Sequence, residues 1–216
     1  AAIEGLFVAL FLEAHAKQPE RIILDLDATD DPLHGHQEGR FFHGYYDCYC
    51  YLPLYIFCGR HLLAAKLRTS SVDAADGSVA EVARIIAQIR ARWPATTIVI
   101  RADSGFCRDD LMTWCEVSDV QYVLGQAGNS RLVRKLTPEM RKARLRAKRT
   151  GQPARVFADI DYRTRRSWST KRRVIGKAEW TNGEANPRFI VTNLHAAFGA
   201  ARFLYGQKIF KARDLP

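Results

Sequence analysis

Ile22-Ile23-Leu24-Asp25-Leu26-Asp27-Ala28-Thr29 is a short apolar run that delivers two carboxylates, two residues apart, just before the turn-prone Asp30-Asp31-Pro32. In a strand, residues i and i+2 point to one face, so Asp25 and Asp27 stand one above the other, with Asp27 nearer the carboxyl end. Burying a carboxylate without a cation or hydrogen-bond partners is expensive. An apolar strand carrying acids therefore reads either as the wall of a metal site or polar cleft, or as an ordinary strand end with solvated Asp side chains. The surrounding chain has to choose between the two.

Downstream of a loop rich in His, Gly and charge (30–40), a Tyr-rich region leads into a strand over 51–57, where Pro53 favours an edge or the strand's beginning. Gly59 marks a tight connection into a further strand over 61–69. Three strands in succession without a helical crossover imply an antiparallel meander. Residues 78–93 form the clearest helix: Val79, Val82, Ile85, Ile86, Ile89 and Trp93 share one face, and Ser78 with Glu81 matches a capping box. Pro94 stops it, and Thr96-Thr97-Ile98-Val99-Ile100 follows as the kind of run that a strand buried on both faces shows. That strand ends in Arg101-Ala102-Asp103-Ser104-Gly105. A short helix from about Arg108, burying Leu111, Trp114 and Cys115, and a strand over 121–124 come next. At the other end, residues 1–15 read as a helix whose Leu6, Ala9 and Leu10 pack against the sheet.

With 216 residues and 47% of them hydrophobic, one sizeable domain with a real core is expected. No apolar run is long enough to span a bilayer, and residues 1–12 hold Glu4 without a basic leader, unlike a signal peptide. An initial Ala in place of Met points to a piece of something longer. Five cysteines in no regular framework argue against a secreted disulfide scaffold and for a reducing compartment. The net charge of +10 is concentrated: residues 131–177 hold 17 Lys/Arg against Glu139, Asp159 and Asp161, and the remainder is mildly acidic. Such a stretch fits a polyanion, because Lys/Arg contacts to phosphate gain affinity through counterion release. Its bland alternative is a solvated charged helix. Within it, 131–149 looks helical but has little apolar periodicity, a poor core helix, and 155–162 and 168–180 alternate like exposed antiparallel strands. Residues 188–192 restore an apolar strand and 196–205 an apolar helix.

Two apolar strands thus end in acids, Asp27 and Asp103. Neighbouring strand ends lie about 5 Å apart, close enough for two carboxylates to share a divalent cation. A two-ion arrangement activates the attacking oxygen and stabilises the leaving one in phosphodiester transfer. Acid pair and basic segment together point to nucleic-acid strand chemistry.

The blocks Leu24-Asp25-Leu26-Asp27-Ala28-Thr29-Asp30-Asp31-Pro32-Leu33-His34-Gly35, Gly44-Tyr45-Tyr46 with Tyr51-Leu52-Pro53-Leu54, Ile100-Arg101-Ala102-Asp103-Ser104-Gly105-Phe106, and Asn186-Pro187-Arg188-Phe189-Ile190-Val191-Thr192-Asn193-Leu194 together resemble DDE transposases of bacterial insertion sequences. The likeness is greatest to insertion-sequence family thirteen-eighty. It implies an α/β, ribonuclease-H-like mixed sheet, an antiparallel three-strand meander plus parallel strands flanked by helices, with a basic strand-rich insertion. It also implies magnesium-dependent cleavage at transposon ends and strand transfer by a two-ion Mg2+ site, with Mn2+ as a substitute. The partners would be double-stranded DNA of transposon ends and target, and a second copy in a synaptic complex, in the bacterial cytoplasm at the nucleoid. Carried over by motif, Asp27 and Asp103 are the first two catalytic acids and metal ligands, and Asp25 belongs to the flanking pattern. The expected division is a first part of the core over 1–127, the basic insertion over 128–186 and the last core strand and helix over 187–216. Within the insertion, Arg163, Arg165, Arg166, Lys171, Arg172 and Arg173 are the expected DNA contacts, because alternate residues of a strand pair put several on one face. Trp168 and Trp180 would stack on exposed bases or pack the insertion's core.

The family expects a third acid, a Glu on a helix after the last core strand, and no Glu occurs after Glu184. This points to a fragment with an incomplete metal site, and a DNA-binding remnant of a transposase is the non-enzymatic alternative. Asp25-Leu26-Asp27-Ala28-Thr29 also fits the nucleophile motif of haloacid-dehalogenase phosphatases, with Asp25 attacking phosphate and Asp27 as the acid. His34, His36, His43, Cys48 and Cys50 lie close in sequence, but their spacings match no standard zinc pattern.

Overall fold

The computed structural model describes residues 2–181 and 183–194. The expected helix over 196–205 and the region of the third acid lie outside them. The chain divides into two compact units, with the break between Gln121 and Tyr122.

The first unit contains α1 (Ala2–Glu13), β1 (Arg21–Ala28), β2 (Asp31–Pro32), β3 (Phe41–His43), β4 (Cys48–Tyr51), β5 (Leu54–Cys58), β6 (His61–Lys66), α2 (Ser78–Arg92), β7 (Thr97–Ala102) and α3 (Asp109–Val117). Its main sheet runs β6-β5-β1-β7. β1 pairs antiparallel with β5, β5 antiparallel with β6, and β1 parallel with β7. The meander is therefore present, and so is the parallel strand beside it, the arrangement of a ribonuclease-H-like core. Gly59, at φ 59, lets a two-residue connection turn β5 into β6, a backbone state that side chains disfavour. A parallel pair needs a crossover, and α2 supplies it. Val82, Ile85, Ile86 and Ile89 of α2 are buried, as are Leu24 and Leu26 of β1 and Ile98, Val99 and Ile100 of β7. Burying each such aliphatic side chain contributes about 1.5–3 kcal/mol.

Four expectations for this unit need correction. The strand expected from residue 51 begins at Leu54, because Pro53 separates it from β4, and Tyr51 belongs to a small second sheet ordered β2-β4-β3. The last expected strand ends at Lys66, with Thr69 only bridged to Tyr51. Helix α1 buries Val8, Phe11 and Leu12, while Leu6 and Leu10 face out. That helix is apolar nearly all round, so spacing alone could not choose its inner face; Phe11 does, by packing against His61 and Trp93. The capping box is absent. Gly77, at φ 70, caps α2 with no side-chain bond, and Glu81 instead pairs with Lys66 and Arg84.

The second unit carries β8 (Gln121–Gln126), α4 (Ser130–Thr150), β9 (Ala154–Tyr162), β10 (Arg172–Thr181) and β11 (Glu184–Thr192). These strands are antiparallel, in the order β8-β11-β10-β9. Asn129 caps α4 by accepting from the backbone N–H of Arg131 and Leu132, each at 3.1 Å, and Gly151, at φ 66, ends it. α4 proves to be a core helix after all. Leu132, Leu136, Ala143 and Ala147 form a narrow buried stripe, which the many charges obscured. It lies on β9 and β10, so β10 is buried along most of its length and is no exposed strand. Gly176 makes the close approach possible, since a Cβ there would stand 2.7 Å from Leu136 Cδ1.

Candidate functional site

The parallel register sets Asp25 opposite Arg101 and Leu26 opposite Ala102, so Asp27 and Asp103 are the next residues on two adjacent strands. Strand β1 continues through Asp27, whereas β7 ends at Ala102. Asp103 then caps a single 3-10 turn (Ser104–Phe106), its Oδ1 accepting from the Gly105 backbone N–H at 2.8 Å. Buried Phe106 anchors the turn from below. Gly105 sits in tight space: a Cβ would stand 3.0 Å from Asp103 Oδ1 and 3.2 Å from Ala74 Cβ.

Asp27 feels its neighbours. Burial, then the charge of Asp103, and more weakly that of Asp25, push the Asp27 carboxyl above its usual range, against a lowering hydrogen bond from the Ala28 backbone. Asp25 has a different fate. Arg101 grips both its oxygens, Nη2 on Oδ2 at 2.8 Å and Nε on Oδ1, a two-pronged ion pair across the β1/β7 ladder. Its carboxylate is thereby committed to structure, which removes the free nucleophile that a phosphatase of the haloacid-dehalogenase kind needs. Among the described residues no group of three or more His, Cys, Asp or Glu is placed to hold a metal, so Asp27 and Asp103 stand as a pair and the His/Cys region of 34–50 forms no such centre.

The basic residues are arranged differently from the expected strand face. Arg163, Arg165, Arg166 and Lys171 lie exposed in the connection between β9 and β10. Arg172 is buried, its guanidinium 5.9 Å from the Trp168 ring centre. Arg173 binds Asp159 Oδ2 through Nε at 2.7 Å and the Leu194 carbonyl at 2.6 Å. Both are spent on the unit's own packing, because the first residues of β10 already lie against neighbours. Trp168 is buried beside Tyr162, and Trp180 is half-buried with the Arg144 guanidinium 5.2 Å from its ring centre.

A second basic surface within the polyanion-binding stretch, beside the residues favoured in the sequence, is the outer face of α4. Arg134, Lys135, Arg141, Lys142, Arg144, Arg146, Lys148 and Arg149 are all exposed there, with Glu139 the one acid on the helix. The buried stripe of Leu132, Leu136, Ala143 and Ala147 leaves every one of these cations outside it.

A family model described as Transposase DDE domain group 1 matches residues 1–214. No curated protein matches the chain. Among solved structures, Marinitoga piezophila Argonaute in complex with 5′ OH guide RNA is similar at 8% identity, over 83% of this chain and 24% of that one, with a TM-score of 0.34. This chain spans about a quarter of that protein's length, and a likeness so low carries no argument.

Proposed function

The chain belongs to the group 1 family of DDE transposase domains, and from that premise we propose that Asp27 and Asp103 are carboxylate ligands of a divalent cation serving DNA strand cleavage and transfer at transposon ends. The observation that carries the reading is the parallel β1/β7 register, which sets these two acids side by side at adjacent strand ends. The donor set fits the ion. Two oxygen ligands suit Mg2+ or Mn2+, and a cation between them would relieve the repulsion that Asp103 exerts on Asp27. When bound, such an ion polarises a phosphodiester oxygen and stabilises developing charge.

The chain's own residues do the rest. The β1/β7 ladder sets the acids on adjacent strand ends, the Gly105 backbone N–H orients Asp103, and Arg101 holds Asp25 in an ion pair of its own. The exposed cations of α4, with Arg163, Arg165, Arg166 and Lys171, hold duplex phosphates in this reading. Residues 128–186 are the insertion that carries them, and β11 supports this boundary: Phe189 to Thr192 pair with β8, whereas the residues before them pair with β10 alone. Pro187 is tolerated there because β11 has a partner on one side only. Transposon-end and target DNA, a dimeric synaptic complex and kinship with insertion-sequence family thirteen-eighty complete the proposal.

No Glu follows Glu184, so the polypeptide by itself is proposed to bind DNA and a divalent cation without cleaving. The test is a nicking assay with supercoiled and transposon-end DNA in Mg2+ and in Mn2+. Binding without nicking supports this reading; nicking abolished by Asp103→Ala would overturn the statement about the chain alone while supporting the assignment of the acid.

A further inference from the structure

The small sheet of the first unit exposes its aromatic side chains. Phe42 and Tyr49 face each other across the β3/β4 pair, their ring centres 5.4 Å apart, and both are nearly half exposed. The Arg40 guanidinium lies 4.6 Å from the Tyr49 ring centre. At the hairpin tip Tyr45 is 85% exposed and edge-on to Tyr46 at 5.0 Å, and Tyr46 in turn leans on His43 at 4.8 Å. The tip is rigidly built. The backbone N–H groups of Tyr46 and Asp47 both donate to the His43 carbonyl, at 3.1 and 2.8 Å, and the Ser70 hydroxyl ties the Phe41 carbonyl to the loop after β6 at 2.9 Å.

Single exposed aromatics are ordinary, but a contiguous set is not. This set also has an address. The small sheet is joined to the acid strand itself: β2 follows β1 after two residues and pairs with β4, Asp31 opposite Tyr51 and Pro32 opposite Cys50, so the hairpin hangs from the end of β1 that carries Asp27. The same neighbourhood selects its ligand. Asp30 and Asp47 make the tip a poor surface for phosphates, whereas flat apolar rings with one cation suit the faces of unpaired bases.

We propose that Tyr45, Phe42 and Tyr49, with Arg40 over the Tyr49 ring, form a stacking platform for unpaired nucleobases of a DNA strand led to Asp27 and Asp103. The proposal rests on the DNA-strand reading of the acid pair. It adds that the end is bound frayed, with at least one base out of the duplex.

The experiment compares a blunt duplex with the same duplex carrying four unpaired nucleotides at one 3′ end, 2-aminopurine among them, in Mg2+ with the 216-residue protein. Wild type should bind the frayed end more tightly and quench the 2-aminopurine by stacking. Tyr45→Ala and the double variant Phe42→Ala/Tyr49→Ala should each weaken frayed-end binding by about tenfold, as loss of one base stack does. Blunt-duplex affinity and the salt dependence should not move, and Tyr45→Phe should keep full binding. Because Tyr45 is so exposed, the Tyr45→Ala protein should fold as wild type does. Equal losses on both DNAs, no loss in either variant, or a change of oligomeric state without loss of frayed-end binding would overturn the platform. Wild type that binds neither DNA would overturn the DNA reading and the platform together.

Discussion

Ser78→Ala and Glu81→Gln separate two accounts of how α2 begins. If Ser78 were the cap, its loss would cost about 0.5–2 kcal/mol. In the structure Ser78 is 1% exposed, it follows the true cap Gly77, and its hydroxyl has no hydrogen-bond partner among the described residues. A buried hydroxyl without a partner is destabilising by about 1–3 kcal/mol, so Ala should leave stability unchanged or raise it by up to about 1 kcal/mol. Glu81 is buried and accepts from Lys66 Nζ and Arg84 Nε, each at 3.0 Å. Charge-assisted bonds contribute about 1.5–3 kcal/mol each, but the Lys66 side chain is 44% exposed and water weakens its share. Glu81→Gln should therefore cost about 1–2 kcal/mol at neutral pH. Burial raises the Glu81 carboxyl, yet the Lys66 and Arg84 bonds outweigh it and hold the group below its ordinary 4.5. A depressed carboxylate stabilises the fold fully above the unfolded value and loses that contribution as pH falls through the folded one. The gap between wild type and Glu81→Gln should accordingly be complete at about pH 6–7, above the unfolded value, and close as the solution is acidified below about pH 4.5. Urea unfolding of both variants across this range is the assay. A Ser78→Ala protein weakened by about 1 kcal/mol or more, beside a neutral Glu81→Gln, would refute the reasoning.

Gly176→Ala should destabilise the second unit by about 1 kcal/mol, because overpacking against Leu136 at about 1–3 kcal/mol outweighs the roughly 0.4–1 kcal/mol that reduced chain entropy contributes. Denaturation of the double variant with Leu136→Ala should show a cost below the sum of the single ones, and strict additivity would count against that packing. Replacing Arg134, Arg141 and Lys142 of α4 with Ala should make the slope of log affinity against log salt shallower by about 0.9 for each phosphate no longer neutralised. Arg173→Ala should instead leave the slope alone and lower stability, and a reversed pattern would return DNA binding to the strand. Burial pushes the Cys115 thiol up to about 12, so this residue should react with a thiol reagent at about pH 8 only after denaturation; reaction of the native protein at the denatured rate would contradict its burial.

What was legible in the sequence is what periodicity and punctuation encode. The β1 run with its acids, the tight connection at Gly59, the α2 face and the doubly buried β7 all have patterns that one kind of packing explains, and the structure has them. Faces were legible only where polar and apolar residues alternate cleanly. In α1 too many positions are apolar, and in α4 too few, so tertiary partners chose the inner side: Phe11 against His61 and Trp93, and Leu136 against Gly176. The acid pair was visible because each Asp ends an apolar run. The Arg101 grip on Asp25 was not, since it depends on register between strands far apart in sequence. The aromatic hairpin was visible as a Tyr-rich stretch and no more, because its attachment to the end of β1 depends on the β2/β4 pairing between segments that a loop separates.

The most direct test of the two-carboxylate centre is a Mn2+ titration of the 216-residue protein followed by electron paramagnetic resonance of the free ion. We expect wild type and the control Asp31→Asn to bind Mn2+, and Asp27→Asn and Asp103→Asn each to lose that binding while staying folded. Undiminished binding in both single variants, or none in wild type, would contradict the assignment of Asp27 and Asp103 as the ligands.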